Sequence, residues 1–177
     1  MKLVDSPPRT IMELYRSLPE GTLAELIEGV IYMSPSPLYK HQSLLLKIVR
    51  KLSEKISDKG LGEVILAPFD VYLDEKQNAV QPDIIVVLKE NDSILDRNGK
   101  IHGVPDVLFE ILSEGNKTHD TVRKRKLYEK FGVKEYWMID PETKEAIGYV
   151  LSKGKYTEFE RKKGSIKSKL LGISFKF

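Results

Sequence analysis

The chain contains no cysteine. That absence excludes disulfides, thiolate metal centres and cysteine nucleophiles together, leaving carboxylates, lysine, histidine, hydroxyls or a metal held by oxygen and nitrogen. The sequence has no GxxxxGK[ST] phosphate loop, no GxGxxG following a strand and no HExxH pair. It also lacks an apolar run long enough to span a bilayer. The opening MKLVDSPPRT has no apolar core of a signal peptide, so a cytoplasmic protein is expected. With no repeat, low-complexity tract or Gly/Ser linker, residues 1–177 are expected to form one domain.

What is present describes a soluble globular chain, 41% apolar and 31% charged. The net charge of +3 permits a polyanionic partner without demanding one. Thr10–Leu18 reads as a short helix closed by Pro19 and Gly21. TLAELIEGVIYMSP reads as two short strands turning at Glu28-Gly29. From Leu38 to about Ser57 an apolar stripe of Leu45, Ile48, Val49, Leu52 and Ile56 predicts a long helix. EVILAPFDVYL, VQPDIIVVL and VPDVLFEIL are apolar enough for central strands, with Lys89–Gly103 as a polar loop. Thr118–Phe131 reads as a helix ending at Gly132, and EYWMID, EAIGYVL and shorter strands follow. This order predicts an α/β or α+β sandwich around a mixed sheet.

Three charges sit where packing would favour apolar residues. Asp83 interrupts VQPDIIVVL, either inside the strand or in a turn just before Ile84. In VPDVLFEIL, Val107, Phe109 and Ile111 share one face, while Glu110 shares the other with Asp106, Leu108 and Leu112. On the following helix Asp120, Lys124, Leu127, Tyr128 and Phe131 fall in one narrow sector. Lys124 is therefore aimed at the sheet. A buried charge is costly unless it is paired or bound to a metal. His41 shares the inward face of the long helix, and Glu25 lies among Leu23 and Ile27. A histidine there is ordinarily a core residue, and an edge strand tolerates such a glutamate.

Carboxylates converging from adjacent strands suit Mg²⁺ or Mn²⁺, and a nearby lysine suits stabilisation of a phosphoryl transition state. Phosphodiester hydrolysis is the reaction class that best matches these residue types. The competing reading is a buried Glu110–Lys124 bridge that only fixes the packing.

At these residues the sequence resembles the Uma-two family of endonucleases, in the PD-(D/E)XK or restriction-endonuclease-like superfamily. The resemblance rests on ELIEGVIYMSPSP followed by His41, QPDIIVV, VPDVLFEILSEGN, Asp120-x-x-x-Lys124-x-x-x-Tyr128, GVKEYWMID and LLGISF. It implies a mixed central sheet flanked by helices. Asp83 would be the acid of the PD motif and Glu110 that of the second half-motif, both holding the metal. The superfamily's lysine two positions later is Leu112 here, and the resemblance implies that Lys124 replaces it. Glu25 and His41 would be accessory catalytic residues, with Ser113, Asp120 and Tyr128 in support. The implied partner is nucleic acid, with DNA the expected substrate although the residues do not separate it from RNA, Mg²⁺ or Mn²⁺ as cofactor and a homodimer as the assembly. The alternative is a catalytically idle nucleic-acid-binding or assembly module using the basic helix faces, among them Lys40, Lys47, Arg50, Lys51, Arg123 and Arg125.

Overall fold

A computed structural model describes residues 7–96, 99–113 and 119–177, the side chains of 119–121 excepted. Strands are numbered along the chain. The larger sheet holds, in spatial order, β11 (Lys155–Lys163), β10 (Glu145–Ser152), β9 (Glu135–Ile139), β8 (Val107–Ile111), β6 (Ile84–Leu88) and β3 (Gly62–Leu66). The smaller holds β2 (Val30–Met33), β1 (Ala24–Ile27), β5 (Ala79–Val80), β4 (Val71–Tyr72) and β7 (Ile101–His102). A hairpin of β12 (Ser165–Ser168) and β13 (Ile173–Lys176) completes the strands. With few helices, the architecture is mixed α+β.

Two apolar runs that read as single strands are each divided between the sheets. EVILAPFDVYL becomes β3, at the edge of the larger sheet, and β4 in the smaller, with Ala67, Pro68, Phe69 and Asp70 between them. VQPDIIVVL becomes the end of β5 and then β6, with Gln81, Pro82 and Asp83 between. Proline has no N–H to continue a ladder, so each run breaks where its proline falls. Asp83 thus sits just before β6 rather than inside it. Both crossings lie at the same end of the larger sheet, since Leu66 pairs with Ile84.

One face of the larger sheet is covered by α2 (Tyr39–Lys55) and the β12–β13 hairpin. Leu44, Leu45, Ile48 and Leu52 pack there on Ile84, Val86, Phe109 and Trp137, with Ile166 and Phe175 from the hairpin. Ile85, Val87, Leu108, Tyr136 and Met138 face the other way. They meet Ile27, Val71, Val80 and Ile101 of the smaller sheet together with Leu127 and Tyr128 of α3 (Arg125–Phe131). The helix α1 (Ile11–Ser17), capped by the Thr10 hydroxyl, adds Met12 and Tyr15 to the far side of the smaller sheet.

The strands β8 and β9 are parallel, and a parallel pair requires a crossover. Among the described residues that crossover is a π-helical turn, His119–Lys124, running into α3. The sequence pattern predicts one regular helix from Thr118; Thr118 itself lies outside the described residues. Short π segments recur at functional sites. Here Lys124 is the last residue of the wide turn and is directed over the end of β8.

Candidate functional site

The crossover, the two proline breaks and the start of α2 surround a cleft of about 920 Å³. Glu25, His41, Asp83, Glu110 and Lys124 all line it, as do Gln81 and Ser113. Five residues from five separate segments are therefore brought to one place by the crossing of two sheets.

Lys124 is at the centre. Its Nζ donates to Glu110 Oε1 at 2.8 Å and lies 2.9 Å from Glu25 Oε1. Tyr128, one helical turn later, donates its hydroxyl to the same Glu110 oxygen at 2.7 Å. The side chains of Lys124, Glu25 and Glu110 are only 6%, 6% and 4% exposed, so this is a buried ion cluster. Glu25 belongs to an inner strand of the smaller sheet, between β2 and β5, and not to an edge. Its Oε1 also accepts from the Gln81 backbone N–H at 2.8 Å. Burial, reinforced by the charges of Glu110 and Glu25, holds the Tyr128 hydroxyl neutral well above the ordinary tyrosine range.

Asp83 lies across the strand pair from Glu110. The register Ile84–Phe109 and Ile85–Leu108, continued one step, sets Asp83 opposite Glu110. Residues directly opposite on antiparallel strands point to one face with Cβ atoms about 5 Å apart. Asp83 has left the regular ladder, and its Oδ2 instead accepts from the Ile111 backbone N–H at 2.7 Å. The same oxygen lies 3.1 Å from His41 Nε2, at the start of α2. Among the described residues nothing engages Asp83 Oδ1.

The remaining expected residues divide. Leu112, where the superfamily's lysine would fall, is buried and donates its backbone N–H to Ile139. Tyr128 sits in the ion cluster and Ser113 on the cleft wall. The side chain of Asp120 lies outside the described set. A second Pro-Asp pair, Pro105-Asp106, stands at the far end of β8. There Asp106 pairs with Lys134 and caps the backbone of Leu88, a structural role away from the cleft. The contribution of the Gln81 N–H had no signal in the sequence, because a backbone donor is set by the chain crossing alone.

The donor set fits a hard divalent cation. Asp83, just before β6, and Glu110, on the adjacent β8, offer carboxylate oxygens, and Mg²⁺ is commonly held by one or two carboxylates with waters and substrate phosphate completing the shell. Among the described residues no group of three or more histidines and acids forms a metal cage. A two-carboxylate site does not require one.

No curated protein matches the chain. Among solved structures, the crystal structure of a putative nuclease belonging to DUF820 from Anabaena variabilis is similar, with a TM-score of 0.74 at 21% identity. The match covers 93% of this chain and 92% of that one, and at this identity it establishes the fold. The model of the Uma2 family, described as putative restriction endonuclease, matches residues 12–175. The chain belongs to the Uma2 family.

Proposed function

We propose that the protein is a metal-dependent endonuclease that hydrolyses phosphodiester bonds of DNA at the cleft between its two sheets. The observation that carries the reading is the placement of Lys124 in contact with Glu110, on the strand next to Asp83, in a cleft open to solvent. Family membership supports the same reaction class.

In this reading Asp83 and Glu110 hold Mg²⁺ or Mn²⁺. Such an ion, when bound, supplies Lewis-acid polarisation of a phosphoryl oxygen. Lys124 supplies a fixed positive charge beside the phosphate, where negative charge grows as water attacks phosphorus and a P–O bond to the sugar breaks. Glu25 and Tyr128 position that lysine: Glu25 contacts the ammonium, and Tyr128 fixes the glutamate it pairs with. His41 orients Asp83 through Oδ2, leaving Oδ1 toward the cleft. Cutting both strands of a duplex calls for two such sites, so a homodimer belongs to this reading.

One observation favours a second reading. Lys124, Glu25 and Glu110 are nearly inaccessible, as befits a cluster that only fixes the crossover onto the sheet. The test is a cleavage assay on duplex and single-stranded DNA and on RNA, with Mg²⁺ or Mn²⁺ and with chelator. Metal-dependent cutting of DNA that disappears in folded Asp83→Asn supports the nuclease. Failure to cut any of these substrates with either metal supports the structural cluster.

A further inference from the structure

The last 17 residues, Arg161 to Phe177, contain six basic residues and no acid. Since the whole chain carries +3, the remainder is net acidic, and the positive charge is concentrated at this end. The cleft itself is not basic, because its Lys40 is held by Glu142 at 2.8 Å and its Lys124 by two glutamates. The basic helix faces are partly engaged, with Lys47 and Arg50 of α2 exposed and, among the described residues, in no ion pair. Lys51 pairs with Glu54, while Arg123 and Arg125 lie over the rings of Tyr32 and Tyr149.

The C-terminal lysines are distinguished by being gathered at one groove. Lys162, Lys163 and Lys176 are exposed, and among the described residues none of them is in an ion pair. The nearby acids Glu145 and Glu158 are both taken by Arg161. These three lysines line a shallow groove of about 540 Å³ with Ser165 and Ser174. Ser165 is directly opposite Lys176 in the β12–β13 pair, so a hydroxyl and an ammonium sit side by side. Ammonium and hydroxyl donors without acids form a surface suited to phosphate oxygens.

Its position relates it to the cleft. Lys162 pairs with Ala146, Ala146 with Ile139, and Ile139 with Ile111, whose N–H is bonded to Asp83. Lys162 and Asp83 thus stand at the same end of one sheet, separated by four strand spacings. At about 4.8 Å each, that is about 19 Å. The distance corresponds to about five or six base-pair steps of duplex. The backbone turn at Gly164, whose N–H bonds to the Lys144 carbonyl, holds the groove beside the Asp140–Lys144 turn that borders the cleft.

We infer that Lys162, Lys163 and Lys176, with Ser165 and Ser174, form a rail for the phosphate backbone of nucleic acid flanking the bond at the cleft. The inference rests on the nucleic-acid reading above and adds to it the surface that supplies affinity.

The test is fluorescence anisotropy with a labelled DNA duplex of about 24 base pairs and its RNA counterpart, in chelator, across a salt series. The triple variant Lys162→Gln, Lys163→Gln, Lys176→Gln should lose at least about tenfold in affinity. Its log K against log salt should flatten by about 2.7, at 0.9 per phosphate contact. Lys→Arg at the same three positions should restore both, and Lys47→Gln with Arg50→Gln should change neither. Wild-type affinity and slope in the folded triple Gln variant would overturn the rail. Lysine-dependent binding by a protein that never cuts would keep the rail and remove the nuclease. Cutting with a KM unmoved by the triple variant would do the reverse, and a wild-type protein that binds neither duplex overturns both.

Discussion

The ammonium of Lys124 is 2.8 Å from Glu110 Oε1 and 2.9 Å from Glu25 Oε1, so one lysine from the crossover joins the larger sheet to the smaller. The cluster carries two acids for one base, and the neutral Tyr128 hydroxyl and the Gln81 backbone N–H are further donors to it. This arrangement alters what removal of an acid should do. Two uncompensated carboxylates would repel, and losing one would leave the fold intact or more stable. In the structure Glu110 is already neutralised by Lys124, and its loss strands the buried Tyr128 hydroxyl.

Asp83→Asn should therefore separate metal binding from stability better than truncation. The amide oxygen still accepts from the Ile111 N–H, so unfolding free energy should change by no more than about 1 kcal/mol. Calorimetric titration with Mn²⁺ should show affinity reduced at least about tenfold, or more than 1.4 kcal/mol. An unchanged Mn²⁺ affinity would remove Asp83 from the metal site.

Tyr128→Phe should cost about 1–3 kcal/mol, because Glu110 loses a buried donor. It should also change the alkaline limb of stability. Tyr128 keeps its proton in the folded state well above 10.0, whereas the unfolded chain releases it near that value. Stability from this group is thus full below about pH 10 and falls as pH rises beyond it. Urea melts at pH 8 and above pH 10 should show a smaller loss in the variant than in wild type; Tyr15, also raised by burial and Asp70, contributes to both. Equal losses would mean that Tyr128 titrates normally.

Gly148→Ala tests the packing behind the cleft. A Cβ there would lie 2.8 Å from the ring of Trp137 and 3.0 Å from that of Phe159. Trp137 is fully buried and tied to Glu135 through its indole N–H, so it has little room to yield. A loss of about 1–3 kcal/mol in chemical denaturation is expected. No loss would show that the strand irregularity at Gly148 and Tyr149 absorbs the methyl group.

Period and polarity made much of this legible in the sequence. The alternation in VPDVLFEIL places Phe109 and Glu110 on opposite faces, and the structure has them there, Phe109 against α2 and Glu110 against the crossover. The helical sector likewise anticipates Lys124 beside Tyr128 on the sheet. The paired sheets were not legible, because a run such as EVILAPFDVYL has the same apolar character whether it belongs to one sheet or two. Its division depends on the partner each half finds, Val64 pairing with Val86 and Val71 with Val80. The edge-strand reading of Glu25 fails for the same reason, since a strand's place in a sheet is a long-range property. The rail lysines carried a compositional signal, the acid-free stretch after Glu160, but their alignment with Asp83 required the pairing register.

Lys124→Met removes the ammonium on which the proposed cleavage depends and keeps most of the side-chain volume. Removing the ammonium leaves Glu25 and Glu110 buried together, so a stability loss of about 3–5 kcal/mol is expected on either reading. Activity must then be compared at a temperature where circular dichroism shows wild type and variant equally folded. Wild type should cut DNA with Mg²⁺ or Mn²⁺, and the folded variant should bind Mn²⁺ without cutting. A folded Lys124→Met protein that cuts DNA at the wild-type rate would remove Lys124 from the reaction.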